Sequence, residues 1–426
     1  MAVPPDVLRS AVELYVALHL RPELSGAERD TAGRLASWLA EDGYAVTGDI
    51  GGHGVAGVLR RGEGPTVLLR AELDALPVAE ETGLPYRSEV PGVSHACGHD
   101  LHLAALAGAA RMLARDTDGW RGTLLIVGQP AEETLSGARA MLDDGLYQLA
   151  GPPDTVLAQH TAPLPAGTVA HGQGPMLAGT IALDAVLHGV GGHAGAPHMA
   201  VDPVVAAASA VLRLQTVISR ETAPAEQAVL TVGRLRAGTE SNVIPDHAEL
   251  GLSLRAFAEP TLERLLAAVR RVLTAEAEAA GAPRPPEITV RSRSRALLPD
   301  GALTAELGAA HTKAFGQGRV LPWSPATAAE DFGWFGPEGA TSHGHRDVRL
   351  GYWMLGTVSA AAWRAAAEGG RAVPANHSPA FAPDVRTALP TGAEALVTAA
   401  CHAFHRERES GAARAGHAPA PSEESG

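Results

Sequence analysis

"TVLLRAELDALP", Thr66 to Pro77, is an apolar run that turns polar over its last residues, and its reading decides the fold. Two further segments share the form: "TLLIVGQPAEE", Thr123 to Glu133, and "TVLAQHTAPLP", Thr155 to Pro165. Runs without polar alternation suit strands buried on both faces, as in a parallel sheet. Between the first two lies "LHLAALAGAARMLARD", Leu101 to Asp116, where Leu103, Leu106, Ala107, Ala110 and Leu113 recur at helical spacing behind Asp100, the candidate cap. Strand, helix, strand predicts an α/β domain with a mostly parallel sheet and crossovers. The polar residues ending those runs, Glu72 and Asp74, Glu132 and Glu133, and His160, then meet at one sheet edge, where such folds place their sites.

Upstream, residues 9–43 read as two amphipathic helices joined by a Pro-containing turn. Downstream the pattern changes near Thr180. "TIALDAVLHG" alternates, "DPVVAAASAVLRLQTVISR" is a helix opened by Asp202 and Pro203, and "QAVLTVGRL" and "HAELGLSLRAF" follow as strands. A helix from about Pro260 and a strand near "PEITVRSRSR" complete a β-α-β-β-α-β order, the split βαβ sandwich. The expected organisation is therefore a catalytic domain in two parts, 1–179 and 293–408, interrupted by an inserted domain, 180–292. The small, polar stretch 409–426 is expected to be a disordered tail.

Composition narrows the function. A chain of 426 residues exceeds one ordinary core, and 46% hydrophobic with 19% charged residues fits a soluble globular protein. A net charge of −13 without a Lys/Arg run argues against nucleic acid as a partner. Two distant cysteines, Cys97 and Cys401, make no disulfide framework, and the amino-terminal stretch has no secretory pattern, so the expected location is cytoplasmic. Thr155 to Leu183 has no charged residue, yet Pro163, Pro165 and Pro175 break it, so no membrane segment is expected.

The chemistry starts at "SHACGHDLH", Ser94 to His102. Cys97 and His99 flank one glycine, a spacing that lets a thiolate and an imidazole reach ions a few ångströms apart. Glu132 and Glu133 follow a strand in an apolar context, where an unpaired carboxylate costs several kcal/mol and a cation would supply the reason. His160 ends its strand, and His377 stands in the late loop "ANHSPAF". Singly, each is as readily a solvated loop or a satisfied core residue. Together, one thiolate, three imidazoles and a carboxylate are too many donors for one catalytic tetrahedral ion and suit two ions sharing a bridge. Sulfur and nitrogen donors argue for zinc or a similar transition ion over magnesium or calcium. Glu132, beside the ligand Glu133, then fits the base that takes a proton from water. The reaction class is metal-assisted hydrolysis.

These residues are similar to a known pattern. The chain resembles the M20 metallopeptidase family in its amidohydrolase branch, which contains aminoacylases, hippurate hydrolases and auxin-conjugate hydrolases. The likeness runs through "LHLRPELSGAE", "RAELDALP", "HACGHDLH", "GQPAEE", "GGHAGAPH", "SNVIPD", "AEDF" and "NHSPAF". The resemblance implies metal ligation by Cys97 as bridge, His99, Glu133, His160 and His377, with Glu132 as general base and later acid. It implies that Asp74 orients a metal-binding imidazole, that His193 stabilises the oxyanion, and that Asn242 and Arg255 hold the substrate's carbonyl and carboxylate. It implies two divalent ions, zinc first with manganese, cobalt or nickel as alternatives, a ferredoxin-like lid in the inserted domain, and a homodimer formed through it. The expected activity is hydrolysis of N-acyl amino acids or similar small amides. A dipeptidase or N-carbamoyl amidase on the same scaffold is the near alternative, and a non-catalytic metal-containing binding protein the distant one. Two departures stand out: Glu72 occupies a position where the family commonly has aspartate, and "TSHGHRDVRLGYWMLG" is rich in His and Arg, so that His343, His345 and Arg346 either line a specificity pocket or form an exposed loop.

Overall fold

The computed structural model describes residues 2–370 and 372–415. They divide into two compact units, one drawn from Met1–Gly174, Pro299–Ser324 and Asp331–Gly426, the other from Pro175–Leu298 and Pro325–Glu330. Among the described residues, no helix is long and apolar enough to cross a membrane.

In the first unit, α1 (Pro5–Leu20), α2 (Arg29–Glu41), β1 (Ala45–Ile50), β2 (Gly54–Arg61), β3 (Thr66–Glu72), α3 (His99–Arg115), β4 (Gly122–Gln129), α4 (Gly137–Asp143), β5 (Thr155–Pro165) and β6 (Val169–His171) come first. The second unit follows with β7 (Gly179–His188), β8 (Gly192–His193), α5 (Pro203–Glu221), β9 (Ala228–Ala237), β10 (Val243–Ile244), β11 (His247–Ala256), α6 (Glu259–Ala279) and β12 (Glu287–Ser294). The chain returns as α7 (Gly301–Phe315), β13 (Val320–Pro322), α8 (Ala340–His343), β14 (Arg349–Val358), α9 (Ala360–Ala367) and α10 (Val385–Ala415).

The first unit's sheet has the order β1-β2-β4-β3-β5-β14-β6-β13. Its centre is parallel: β4 with β3, β3 with β5, and β5 with β14. The apolar runs explain this, since Val67, Leu68, Leu69, Leu124, Leu125, Ile126, Val156 and Leu157 are all fully buried. A strand covered on both faces has no side to give to polar residues. Helix α3 is buried almost all round. Its alanines and Gly108 let neighbours approach closely; a side chain on Gly108 would touch Ala11 of α1 and Ala393 of α10. Asp100 is not the cap expected for this helix. Gly98 holds that position with φ +83°, and Asp100 lies inside the first turn, 2.6 Å from the His19 ring.

The second unit is an antiparallel sheet, β12-β7-β11-β9, with α5 and α6 in the order β-α-β-β-α-β. Ile181, Leu183, Ala185 and Leu187 alternate inward along β7, and Leu250, Leu252 and Leu254 do so along β11. Asp202 caps α5 by accepting from the Val204 amide at 2.8 Å, with Pro203 in the first turn. The unit begins at Pro175 and reaches Leu298, and it takes in 325–330, a segment the sequence expectation left with the first domain. The segment is hydrogen-bonded there, Ala178 donating to Ala326 and Ala328. The expected tail also changes at its start. Helix α10 runs to Ala415, through the first seven of the residues assigned to it, and 416–426 lie outside the described residues.

Candidate metal centre

Five segments around the carboxyl edge of the parallel sheet carry the cluster. β3 delivers Glu72 and then Asp74, β4 leads through Ala131 to Glu132 and Glu133, and β5 carries His160 at its middle and not at the strand end expected, since pairing with β14 continues to Pro165. The turn before α3 contributes Cys97 and His99. Gly98 between them is required by its geometry: besides the positive φ, a Cβ would sit 2.8 Å from the Thr161 methyl. His377 comes from the segment before α10, with φ +69°, and its amide donates to Ala96 at 2.8 Å. Ala131 and Leu135, on either side of the glutamate pair, also hold positive φ, at 50° and 56°. Non-glycine residues in this region carry strain that surrounding structure must hold in place.

The donor atoms converge. The sets Cys97, His99 and His160; Cys97, Glu133 and His377; and His99, Glu132 and Glu133 each have ligand atoms within 4.8 Å of one another. His99 Nδ1 donates to the Asp74 carbonyl at 2.8 Å, and His160 Nδ1 donates to the Thr161 carbonyl at 2.8 Å. Both rings thereby turn an Nε2 lone pair inward, the tautomer a metal requires. His160 Nε2 lies 3.4 Å from Cys97 Sγ, and His377 Nε2 lies 3.5 Å from Glu133 Oε1. His99 Nε2 and Glu133 Oε1 are buried with no hydrogen-bond partner, a cost that coordination would remove.

Electrostatics point the same way. Burial pushes the Cys97 thiol up to about 11 and the Glu133 carboxyl upward, and it drives His160 down to about 3. Negative charge on sulfur and carboxylate therefore calls for a compensating cation, while the neutral imidazole keeps a lone pair to offer. The residues present fit a transition metal.

Asp74 meets His99 through two groups. Its backbone carbonyl takes the principal His99 bond, and its carboxylate lies 3.4 Å away. That carboxylate accepts from the Glu133 amide at 2.9 Å and from Ser25 at 2.7 Å, so Asp74 ties two of the donor-bearing loops together. Burial opposes its ionisation, but the bond and charge of His99 outweigh this and lower its pKa.

Two networks went unread in the sequence. His102 Nδ1 lies 2.7 Å from Glu72, and its Nε2 accepts from the Thr161 amide at 2.8 Å. Glu72 also pairs with buried Arg70, which donates to Gln129 at 2.8 Å. On the other side, His19 is paired with Asp100 at 2.6 Å and Glu80 at 3.3 Å. Three histidines in nine residues and an unexpected Glu72 were the only signals; the partners stand 30 and 81 positions apart.

The remaining predicted residues belong to the second unit. His193 on β8 pairs with Val243 on β10, and Asn242 accepts from the Ala194 amide at 3.0 Å, so those two are neighbours. Arg255 lies on β11 and donates to the Thr327 carbonyl at 2.6 Å. In the His/Arg-rich stretch, His343 donates to the Gly336 carbonyl at 3.0 Å and lies against Tyr147, while His345 and Arg346 are exposed. Local bonds thus hold His343, while His345 and Arg346 are open to solvent, and from Val348 onward the stretch is largely buried as it enters β14.

Imidazoles locked in one tautomer around a thiol, at the carboxyl edge of a parallel sheet, place this protein among the metallohydrolases. Residues 68–350 match the model of peptidase family M20/M25/M40, and the chain belongs to that family. It is 38% identical over 267 residues to N-acetylcysteine deacetylase of Bacillus subtilis, covering 62% of this chain and 69% of the relative. Over 246 residues it is 40% identical to hippurate hydrolase of Campylobacter jejuni, 57% of this chain and 63% of that one. The crystal structure of Bacillus subtilis YXEP protein, described as a dinuclear metal binding peptidase from the M20 family, superposes with a TM-score of 0.74 at 26% identity, covering 94% and 99% of the two chains. The enzyme is a metallo-amidohydrolase.

Proposed function

We propose that this chain hydrolyses the amide bond of N-acyl amino acids or similar small amide conjugates, using two divalent transition-metal ions. The observation that carries the reading is the set of inward-facing, partnerless donors at His99 and Glu133, gathered with Cys97, His160 and His377. Cys97 is the residue common to the triplet with His99 and His160 and the triplet with Glu133 and His377, which supports it as the bridge. Zinc suits the sulfur and nitrogen donors first, with manganese, cobalt or nickel as alternatives. Bound there, the ions would polarise the scissile carbonyl and acidify water towards neutral pH.

Glu132, buried with Oε2 3.8 Å from His99 Nε2, takes the proton of the attacking water and returns it to the leaving amine. Asp74 orients His99 and holds Glu133 in place. His193 stabilises the oxyanion and Asn242 holds the substrate's carbonyl. Arg255 receives the free carboxylate. It is half-buried, fixed on a backbone carbonyl, and has no carboxylate partner among the described residues, which supports that role. The second unit acts as a ferredoxin-like lid and as the surface of a homodimer. Its exposed Val190, Met199, Val204, Val205, Leu212 and Val243 support a second copy as partner. The free cysteines Cys97 and Cys401 agree with a cytoplasmic location.

The relatives named for N-acetylcysteine and hippurate support an acylated amino acid as substrate. The test is a panel of N-acetyl amino acids, hippurate, dipeptides and N-carbamoyl amino acids, assayed before and after chelation. Chelator-sensitive release of the amino acid from the N-acyl members is expected. Turnover confined to dipeptides or carbamoyl compounds overturns the substrate class, and activity that survives complete metal removal overturns the mechanism.

A further inference from the structure

The residue before His377 makes contacts that the hydrolytic scheme does not use. The Asn376 side-chain nitrogen lies 3.7 Å from Cys97 Sγ, 3.0 Å from Thr161 Oγ1, 3.3 Å from the Cys97 carbonyl and 3.4 Å from the Thr161 carbonyl. The carrying segment is pinned at the same place, because the His377 amide donates to Ala96. Thr161 Oγ1 in turn donates to the Cys97 carbonyl at 2.6 Å. Thus an amide group, with two N–H donors and no charge, is wedged between Thr161 of β5 and the cysteine turn.

Its neighbours around the sulfur differ in kind. His99, His160, Glu133 and His377 all offer lone pairs that a cation would take. Asn376 brings N–H groups, which a cation does not compete for, so its bond to sulfur persists when the site is loaded. We propose that Asn376 is a positioning residue whose N–H···S hydrogen bond draws charge from the Cys97 thiolate and fixes the sulfur relative to the His377 loop. Hydrogen bonds to a metal-bound sulfur lower its donor strength, and neighbours of this kind tune a centre without ligating it. The inference rests on the reading of Cys97 as a cation ligand.

The test loads the full-length protein with cobalt(II) and records the thiolate-to-cobalt charge-transfer band together with cobalt per chain. Asn376→Leu and the smaller Asn376→Ala each remove the donors. In both, the cobalt content is expected to match the parent while the band moves to longer wavelength, because an unbonded thiolate gives up its electrons more readily. An anchoring role without the sulfur bond would change occupancy and leave the band where it was. A stationary band in either loaded variant, or loss of cobalt without a band shift, overturns the proposal while leaving the metal centre intact. A parent protein that binds cobalt without any such band overturns the ligand assignment of Cys97 and this inference with it.

Discussion

Glu132 and Glu133 are adjacent in sequence and are assigned different tasks, one holding a cation and the other moving a proton. Replacing Glu132 with Gln keeps the size and removes the base, so metal content should persist while kcat falls by roughly 10²–10⁴-fold. Elemental analysis beside steady-state kinetics checks this, and unchanged turnover would remove the assignment. Glu72 is a different kind of acid. It is fully buried between Arg70 and His102, and its ionised form is held by their charges against the penalty of burial. Glu72→Ala would remove one of the carboxylates paired with the buried Arg70 guanidinium while Asp331 remains 3.3 Å away, a loss of about 1–3 kcal/mol that denaturant unfolding would register.

His19 adds a pH dependence. Burial would lower its pKa, but Asp100 and Glu80 outweigh that and raise it to about 9, above the ordinary 6.5. A raised histidine contributes stability that is complete below about 6.5 and disappears as pH climbs through about 9. The thermal midpoint should therefore fall between pH 6 and pH 10 in the parent, and by less in His19→Gln. An identical decline in both would show that His19 does not carry the effect.

At the scale of elements, β3, β4, β5 and α3 could be read directly, because burial on every side forces apolar composition on the chain itself. Helix α5 could be read because Asp202 and Pro203 act within one turn. What was hidden depends on pairing across space. Asp100 looked like a cap because caps are recognised by position, yet the His19 ring claims its carboxylate. The partners of His102, and the placement of 325–330 with the second unit, likewise have no local periodicity to announce them. The five candidate donors were legible as residue types in the cysteine turn, after β4, on β5 and in the late loop; the turning of the His99 and His160 rings by the Asp74 and Thr161 carbonyls was not, since a carbonyl belongs to every residue. Gly98 links the two cases. Gly98→Ala would strain a φ of +83° and press on Thr161, so cation retention against a competing chelator should weaken along with stability.

At the scale of the whole molecule, acid should weaken the fold through histidines kept neutral. His171 and His311, 2.9 Å apart on β6 and α7, are pushed by burial down to about 3 and about 4. The unfolded chain binds protons at these positions first, so their contribution is present above about 6.5 and is lost as pH falls towards 4. Since this pair is separate from the metal centre, a His311→Gln variant should flatten the acid limb of stability in chelated protein as well as in loaded protein.

The segment 325–330 gives the second unit a seam. Leu177 and Ala178 bind Ala326 and Ala328, and Arg255 rests on Thr327, although those partners lie beyond α7 in the chain. Grafting residues 175–298 from this protein into a homologue would thus leave Arg255 without its own support, and the host would answer with whatever its native segment offers. A working chimera needs both pieces moved together, and a synthetic hexapeptide of 325–330 should rescue the graft in trans if the seam alone is at fault.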